Sequence, residues 1–243
     1  MKEKITISLN SEILDKLNKV SNNRSKYIED LLADKFESFK TAVILNGGSY
    51  EDNLVDDKLK CLTKYDGECL LKKQVNMLLS YGYNDIKLIA SSLTYEKIIN
   101  ELGYGFVKKL NFVEDENESG SFSSLKNLEI DNDFLLVYGD VYFNYDLNHF
   151  CEFHKSHDVN SILSVTSSSD TKKGELVIDG DDVVSFSQNE KLGSLIYTSS
   201  IFYFKPSVLN YSGNNIELDL IPKLVDNNLL KTIILNGKRF HIE

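Results

Sequence analysis

Two stretches of this 243-residue chain carry residue types that could grip phosphate-bearing ligands. Ala-Val-Ile-Leu-Asn-Gly-Gly (42–48) is an apolar run that ends in two glycines, and Tyr-Gly-Asp (138–140) again follows an apolar run. With no Cβ in the way, a glycine turn brings main-chain amides close to a ligand. A different chemistry stands at the N-terminus. There Lys4, Thr6 and Ser8 alternate with Ile5, Ile7 and Leu9, which puts three polar side chains on one face of a strand. A third grouping, His149, Cys151, His154 and His157, has zinc-ligand residue types, with His154 and His157 sharing a helix face. That stretch reads as a surface helix leading into a strand, and no metal site is assigned to it.

The elements that must position these residues follow from hydrophobic spacing. Residues 4–9 form a strand too short to stand alone, so it needs a partner strand, most simply from a second copy of the chain. Asn10 or Ser11 caps a first helix whose apolar positions are Ile13, Leu14, Leu17 and Val20. Ser25 caps a second helix with Ile28, Leu31, Leu32 and Phe36 on one stripe. From residue 41 strands and helices alternate. The spacing predicts strands at Val43–Leu45, Ile86–Ala90, Phe106–Val113 and Phe134–Tyr138, and helices over 68–81, 94–102 and 122–129. The fold class expected is α/β, a mainly parallel sheet with helices on both faces, preceded by a small β-α-α module. Ligands of such sheets bind beyond the carboxyl ends of the strands, where Gly47-Gly48 and Gly139-Asp140 fall.

Composition sets the bounds. The chain is 42% hydrophobic with a net charge of −10, enough for one full-sized core and a small appendage. Residues 1–40 hold eight Lys/Arg against seven Asp/Glu, whereas the remainder holds 19 basic and 30 acidic residues. An acidic body repels nucleic-acid phosphates, so any DNA contact must come from residues 1–40. No apolar run reaches the ~20 residues of a membrane span. Three cysteines without ligand or redox spacing suit a reducing cytoplasm.

Residues 1–40 resemble the ribbon-helix-helix family of DNA-binding regulators. The resemblance implies a homodimer whose paired strands enter the major groove of double-stranded DNA. Lys4, Thr6 and Ser8 would read bases, and Arg24, Ser25 and Lys26 would hold a phosphate at the start of the second helix. Residues 41–243 resemble the sugar-phosphate and choline-phosphate nucleotidyltransferases. That likeness rests on V-I-L-N-G-G, on L-K-C-L-T-K-Y-D-G-E-C-L-L-K-K-Q-V (59–75), on G-Y-N-D-I-K-L-I-A (82–90), and on S-G-S-F-S-S-L (119–125). It rests further on F-L-L-V-Y-G-D-V-Y-F (134–143), I-F-Y-F-K-P-S-V-L (201–209) and I-E-L-D-L-I-P-K-L (216–224). It implies that Gly47 and Gly48 approach the phosphates and that Lys60 neutralises their charge. Gly120 would face the base, and Asp140 would hold Mg²⁺, which enters only together with a nucleotide phosphate.

The departures from that family shape the functional expectation. Where active members carry Gly-Thr-Arg, this chain has Ser49-Tyr50-Glu51-Asp52-Asn53, and Arg24 and Arg239 are its only arginines. Loss of a positioned cation costs on the order of 10³-fold in rate. His241 stands in place of a second metal carboxylate, and Thr198-Ser199-Ser200 in place of Asn-Ala-Gly. The expectation is therefore a DNA-binding transcriptional regulator with no catalytic residues. Its nucleotidyltransferase-like domain would bind a nucleotide or sugar-nucleotide effector or serve in oligomerisation. The alternative is an active nucleotidyltransferase, making an NDP-sugar from an NTP and a sugar 1-phosphate, with an N-terminal dimerisation module. The acidic run Glu114–Glu118 reads as a solvated loop.

Overall fold

The computed structural model describes residues 6–21, 23–37, 40–116, 120–165, 174–188 and 190–242. The chain divides into two compact units, 1–39 and 40–243.

In the first unit α1 (Ser11–Val20) starts where the Asn10 side chain accepts from the Ile13 amide, a side-chain cap on an otherwise orphaned donor. The second helix, α2 (Arg24–Glu37), is capped differently from the expectation. Asn23, not Ser25, accepts from the Lys26 amide at 3.0 Å. Ser25 already lies inside the first turn of the helix, past the capping position. Residues 6–10 carry no regular structure, and Lys4 lies outside the described residues. A single copy gives this segment no ladder to close. Thr6, Ser8, Arg24, Ser25 and Lys26 are all exposed. So are the apolar side chains of Ile7, Leu9, Ile13, Val20, Leu31 and Leu32.

The second unit is built on a nine-stranded sheet. In chain order its elements are β1 (Lys40–Asn46), α3 (Leu70–Ser80), β2 (Tyr83–Ala90), α4 (Ser92–Leu102), β3 (Asn111–Glu114), α5 (Ser121–Leu125), β4 (Phe134–Tyr138), β5 (Val141–Phe143), α6 (Leu147–His157) and β6 (Asn160–Val165). There follow β7 (Glu175–Asp179), β8 (Asp182–Ser187), β9 (Ile196–Phe204), α7 (Ile221–Asp226), β10 (Leu230–Ile234) and β11 (Arg239–His241). The sheet runs β6-β10-β8-β7-β9-β4-β1-β2-β3, while β5 and β11 pair apart from it. Ala42, Ile44, Leu88, Leu135 and Val137 face one core with α3, α4 and α6. Val43, Leu45, Ile89, Phe134 and Leu136 face the other, with α5 and α7. Period-2 alternation with both faces covered explains why β1 reads as an unbroken apolar run.

The α/β class with helices on both faces of the sheet is borne out, and two details within it differ. The sheet is mixed rather than mainly parallel: β3, β2, β1 and β4 run parallel, but β9 joins β4 antiparallel and β7 and β8 form an antiparallel pair. The expected strand Phe106–Val113 is instead a helical turn at Tyr104–Val107 followed by β3. Phe106, Val107 and Leu110 bury into the α3 side of the core. Their spacing serves a turn as well as a strand, and short apolar runs do not separate the two.

Candidate active site

The carboxyl ends of the central parallel strands β1 and β4 lie side by side, and the chain leaves each through glycine. A hydrogen bond from the Gly139 amide to the Leu45 carbonyl, 2.9 Å, ties the two exits together. Buried Gln74 on α3 donates its side-chain amide to the carbonyls of Tyr138 and Val141, bracing the Gly139-Asp140 turn from below. Asn46, Gly47, Gly48, Lys60, Tyr138 and Asp140 thereby line one cleft, with Asp52 at its edge. Gly120 lies just before α5, whose first residue, Ser121, also lines the cleft.

Each glycine has a geometric reason. Gly120 adopts φ +126°, and a Cβ there would stand 2.5 Å from the Asn214 carbonyl oxygen. That carbonyl accepts from the amides of Phe122 and Ser123, so it caps α5 from another segment. The Gly48 amide donates to Asp115 at 3.0 Å, which turns this group toward the protein rather than toward a phosphate. Gly48 therefore shapes the turn more than it cradles a ligand.

Asp115 is a site residue that sequence reasoning missed. The run Glu114–Glu118 was expected to be a solvated loop, yet Asp115 is only 3% exposed. Its carboxylate takes the Gly48 amide and the Ser124 hydroxyl, 2.7 Å away. Those two donors compensate a charge that would otherwise be costly to bury. The usable signal was its place one residue past β3, at the same carboxyl edge as Gly47. Asn53 fastens the opposite side of the turn by donating to the carbonyls of Gly47 and Ser49.

Three further groups complete the cleft. Tyr138 donates its hydroxyl to Glu217 at 2.7 Å, and the π turn that carries Glu217 (216–220) is pinned by the Ile216 amide on the Ser121 hydroxyl. Burial pushes both the Tyr138 phenol and the Glu217 carboxyl up from their ordinary values. A carboxyl raised this way stabilises the fold fully below its unfolded pKa and loses that contribution as pH rises through the folded one. Glu217→Gln keeps an acceptor for Tyr138. In thermal melts it should exceed the parent at neutral pH, with the gap closing below about pH 4.5, the ordinary glutamate value. Beneath Lys60, burial pushes the Cys61 thiol up to about 12, so it remains protonated.

At the far wall β11 pairs with β5 and brings the His241 imidazole Nε2 within 3.1 Å of Asp140 Oδ2. Arg239 sits two residues away on the same face of β11 and donates to the Ser199 carbonyl at 2.8 Å. Arg239 is thereby tied to the main chain of β9, beside His241 on β11. His154, by contrast, is a buried structural residue between Asp133 at 3.0 Å and Ser161 at 3.2 Å.

The lining carries two carboxylates, Asp52 and Asp140, against one ammonium, Lys60. A polyphosphate entering this cleft needs a cation beyond what the chain provides. Asp140 Oδ1 is buried without a hydrogen-bond partner among the described residues. An unpartnered carboxylate oxygen beside an imidazole fits a divalent cation shared with phosphate.

No protein-family model matches the chain. Over 162 residues it is 30% identical to a Sulfolobus acidocaldarius protein provisionally named a mannose-1-phosphate guanyltransferase, covering 61% of this chain and 44% of the relative. The chain thus spans less than half the length of that relative. Among solved structures it resembles HddC from Yersinia pseudotuberculosis, with TM-score 0.68, 22% identity and coverage of 84% and 94% of the two chains. That protein has also been solved with GMP-PN. It likewise resembles the inositol-1-phosphate CTP transferase of T. maritima, with TM-score 0.65, 17% identity and coverage of 84% and 89%. These likenesses show the nucleotidyltransferase-like α/β fold. The expectation of a non-catalytic regulator is overturned by the sequence relative, which is named for nucleotidyl transfer. The error was to let three departures, the Ser49–Asn53 loop, His241 and Thr198-Ser199-Ser200, outweigh a cleft in which Gly47, Lys60, Tyr138 and Asp140 still come together.

Proposed function

We propose that this chain is a nucleotidyltransferase that joins an NTP to a sugar 1-phosphate, releasing pyrophosphate, and that it works as a homodimer through its N-terminal unit. The observation that carries the reading is the cleft at the β1 and β4 exits, where Gly47, Lys60 and Asp140 meet although they come from separate parts of the chain. The relative's name supports a sugar 1-phosphate as the acceptor.

In the reaction a sugar-phosphate oxygen forms a bond to the α-phosphorus, the bond to the β-phosphate's bridging oxygen breaks, and pyrophosphate leaves with that electron pair. A divalent cation, when bound, draws charge from the phosphate oxygens. The chain's own part is positioning and charge. The Gly47 turn, clamped by Asn53 and Asp115, sets how closely the triphosphate approaches. Lys60 sets its ammonium against the developing phosphate charge. Asp140 would hold the cation, and the Tyr138–Glu217 pair braces the wall of the cleft.

The exposed apolar side chains of α1, α2 and residues 6–10 support the dimer, because so many on a unit this small need covering. The test of the whole reading is pyrophosphate release from each NTP with a panel of sugar 1-phosphates and a divalent cation. It is paired with sedimentation of the parent and of Leu31→Asp/Leu32→Asp. The expected results are turnover with one NTP and acceptor, a dimeric parent and a monomeric variant. Silence across the panel, or identical sedimentation of the two proteins, would defeat the corresponding half.

A further inference from the structure

We propose that Asp140 and His241 form a mixed oxygen–nitrogen metal site that selects a nitrogen-accepting transition ion, of the cobalt or zinc class, over Mg²⁺. For its purpose this site rests on the nucleotidyltransferase reading, although its geometry does not.

Three observations carry it. Asp140 Oδ2 and His241 Nε2 stand 3.1 Å apart. Two ligand atoms at right angles on metal bonds of about 2.1–2.2 Å are separated by about 3.0 Å, so the pair already has the spacing of one edge of a coordination octahedron. The two remaining heteroatoms of the pair, Asp140 Oδ1 and His241 Nδ1, are buried without hydrogen-bond partners among the described residues. Buried polar atoms are seldom left so; an ion on Oδ2 and Nε2 can also take Oδ1 by bidentate binding, so the carboxylate oxygen points to a missing cation, whereas Nδ1 faces away from that edge and carries no part of the argument. The third observation is how firmly the pair is held. β11 lies antiparallel on β5 with His241 opposite Val141, and the Ile242 amide donates to the Asp140 main-chain carbonyl at 3.0 Å. Main-chain bonds on both sides fix the two side chains toward each other without help from a ligand.

The choice of ion follows from the donors. Mg²⁺ takes oxygen ligands and gives up its water reluctantly, whereas imidazole suits the later first-row divalent ions and zinc. One carboxylate and one imidazole, with phosphate or water oxygens for the rest, make a site in which exchanging the ion changes affinity strongly. A second carboxylate in place of His241 would restore an all-oxygen set. The acidic lining from Asp52 favours any divalent cation and so does not decide between them.

The test uses the full chain without nucleotide. The imidazole resonances of its four histidines are followed by NMR during Co²⁺ titration, with Mg²⁺ as competitor. His241 should shift and broaden before His149, His154 and His157, and Mg²⁺ in about tenfold excess should leave the effect standing. In His241→Asp, metal binding is followed by calorimetry, and the Co²⁺-over-Mg²⁺ preference should fall by about tenfold or more. His241 is partly exposed, so this variant should keep the parent's melting transition. Co²⁺ acting equally on all the histidines, Mg²⁺ displacing it at equal concentration, or an unchanged preference in His241→Asp would each overturn the proposal. Selective Co²⁺ binding in a protein that transfers no nucleotide would leave this site standing and remove the functional reading instead. Transfer without selective Co²⁺ binding would do the reverse.

Discussion

Lys60→Ala should lower kcat/KM for nucleotidyl transfer by about 10³-fold while leaving the fold intact. Among the residues lining the cleft Lys60 is the only cation, set against Asp52 and Asp140. Its removal leaves two acids facing an incoming triphosphate, so both binding and the stabilisation of leaving pyrophosphate suffer. A preorganised charge lost at a phosphoryl-transfer site costs on the order of 10²–10³-fold, and the acidic surroundings place this case at the upper end. The residue sits on a partly exposed single helical turn, 60–62, above buried Cys61, so melting should be little changed. Steady-state kinetics of Lys60→Ala beside Lys60→Arg decide it. A drop below tenfold in the alanine variant would show that another group carries the phosphate charge.

Gly47→Ala should cost about 1–3 kcal/mol of stability together with most of the activity. A Cβ at position 47 would stand 2.6 Å from Asp115 Oδ2 and 2.7 Å from Ser124 Oγ. Neither neighbour can yield cheaply. Asp115 and Ser124 are buried and bonded to each other, and Asp115 also holds the Gly48 amide. Relief of the clash would therefore release the amide that fixes the turn. Trimming the obstacle separates the two effects, since Gly47→Ala/Asp115→Ala should lose less stability than the sum of the single losses. Denaturant unfolding of the three variants measures this, and strictly additive losses would show that the contact is not what limits position 47.

Two strands of the parallel half were legible because they are buried on both faces and run into glycine. β1 and β4 announce themselves as Ala-Val-Ile-Leu and Phe-Leu-Leu-Val, with Gly47 and Gly139 marking the exits. The antiparallel half was not. The runs 175–179 and 182–187 are short, half-exposed and joined by a tight turn, so their pairing with β9 and β10 carries no local signal. Within the site, Lys60 and Asp140 could be named because they sit in recognisable strings. Asp115 could not, since an acid in an acidic run looks solvated until two donors are seen converging on it. The N-terminal helices were readable from apolar spacing, yet the residue that caps the second was placed two positions late. Asn23 and Ser25 are both good caps, and only the backbone decides between them.

The pairing of β5 with β11 has a consequence for the order in which this molecule acquires its parts. Asp140 and His241 are 101 positions apart in sequence, and the strands that join them are three residues each. So short a ladder returns little until the long intervening loop has closed, and closure of a long loop is slow and entropically costly. The contact should therefore form late on the folding path, after the sheet core has consolidated, and open more readily than the core strands β1 and β4. Hydrogen exchange should report this directly, with the amides of β11 losing protection well before those of β1 and β4.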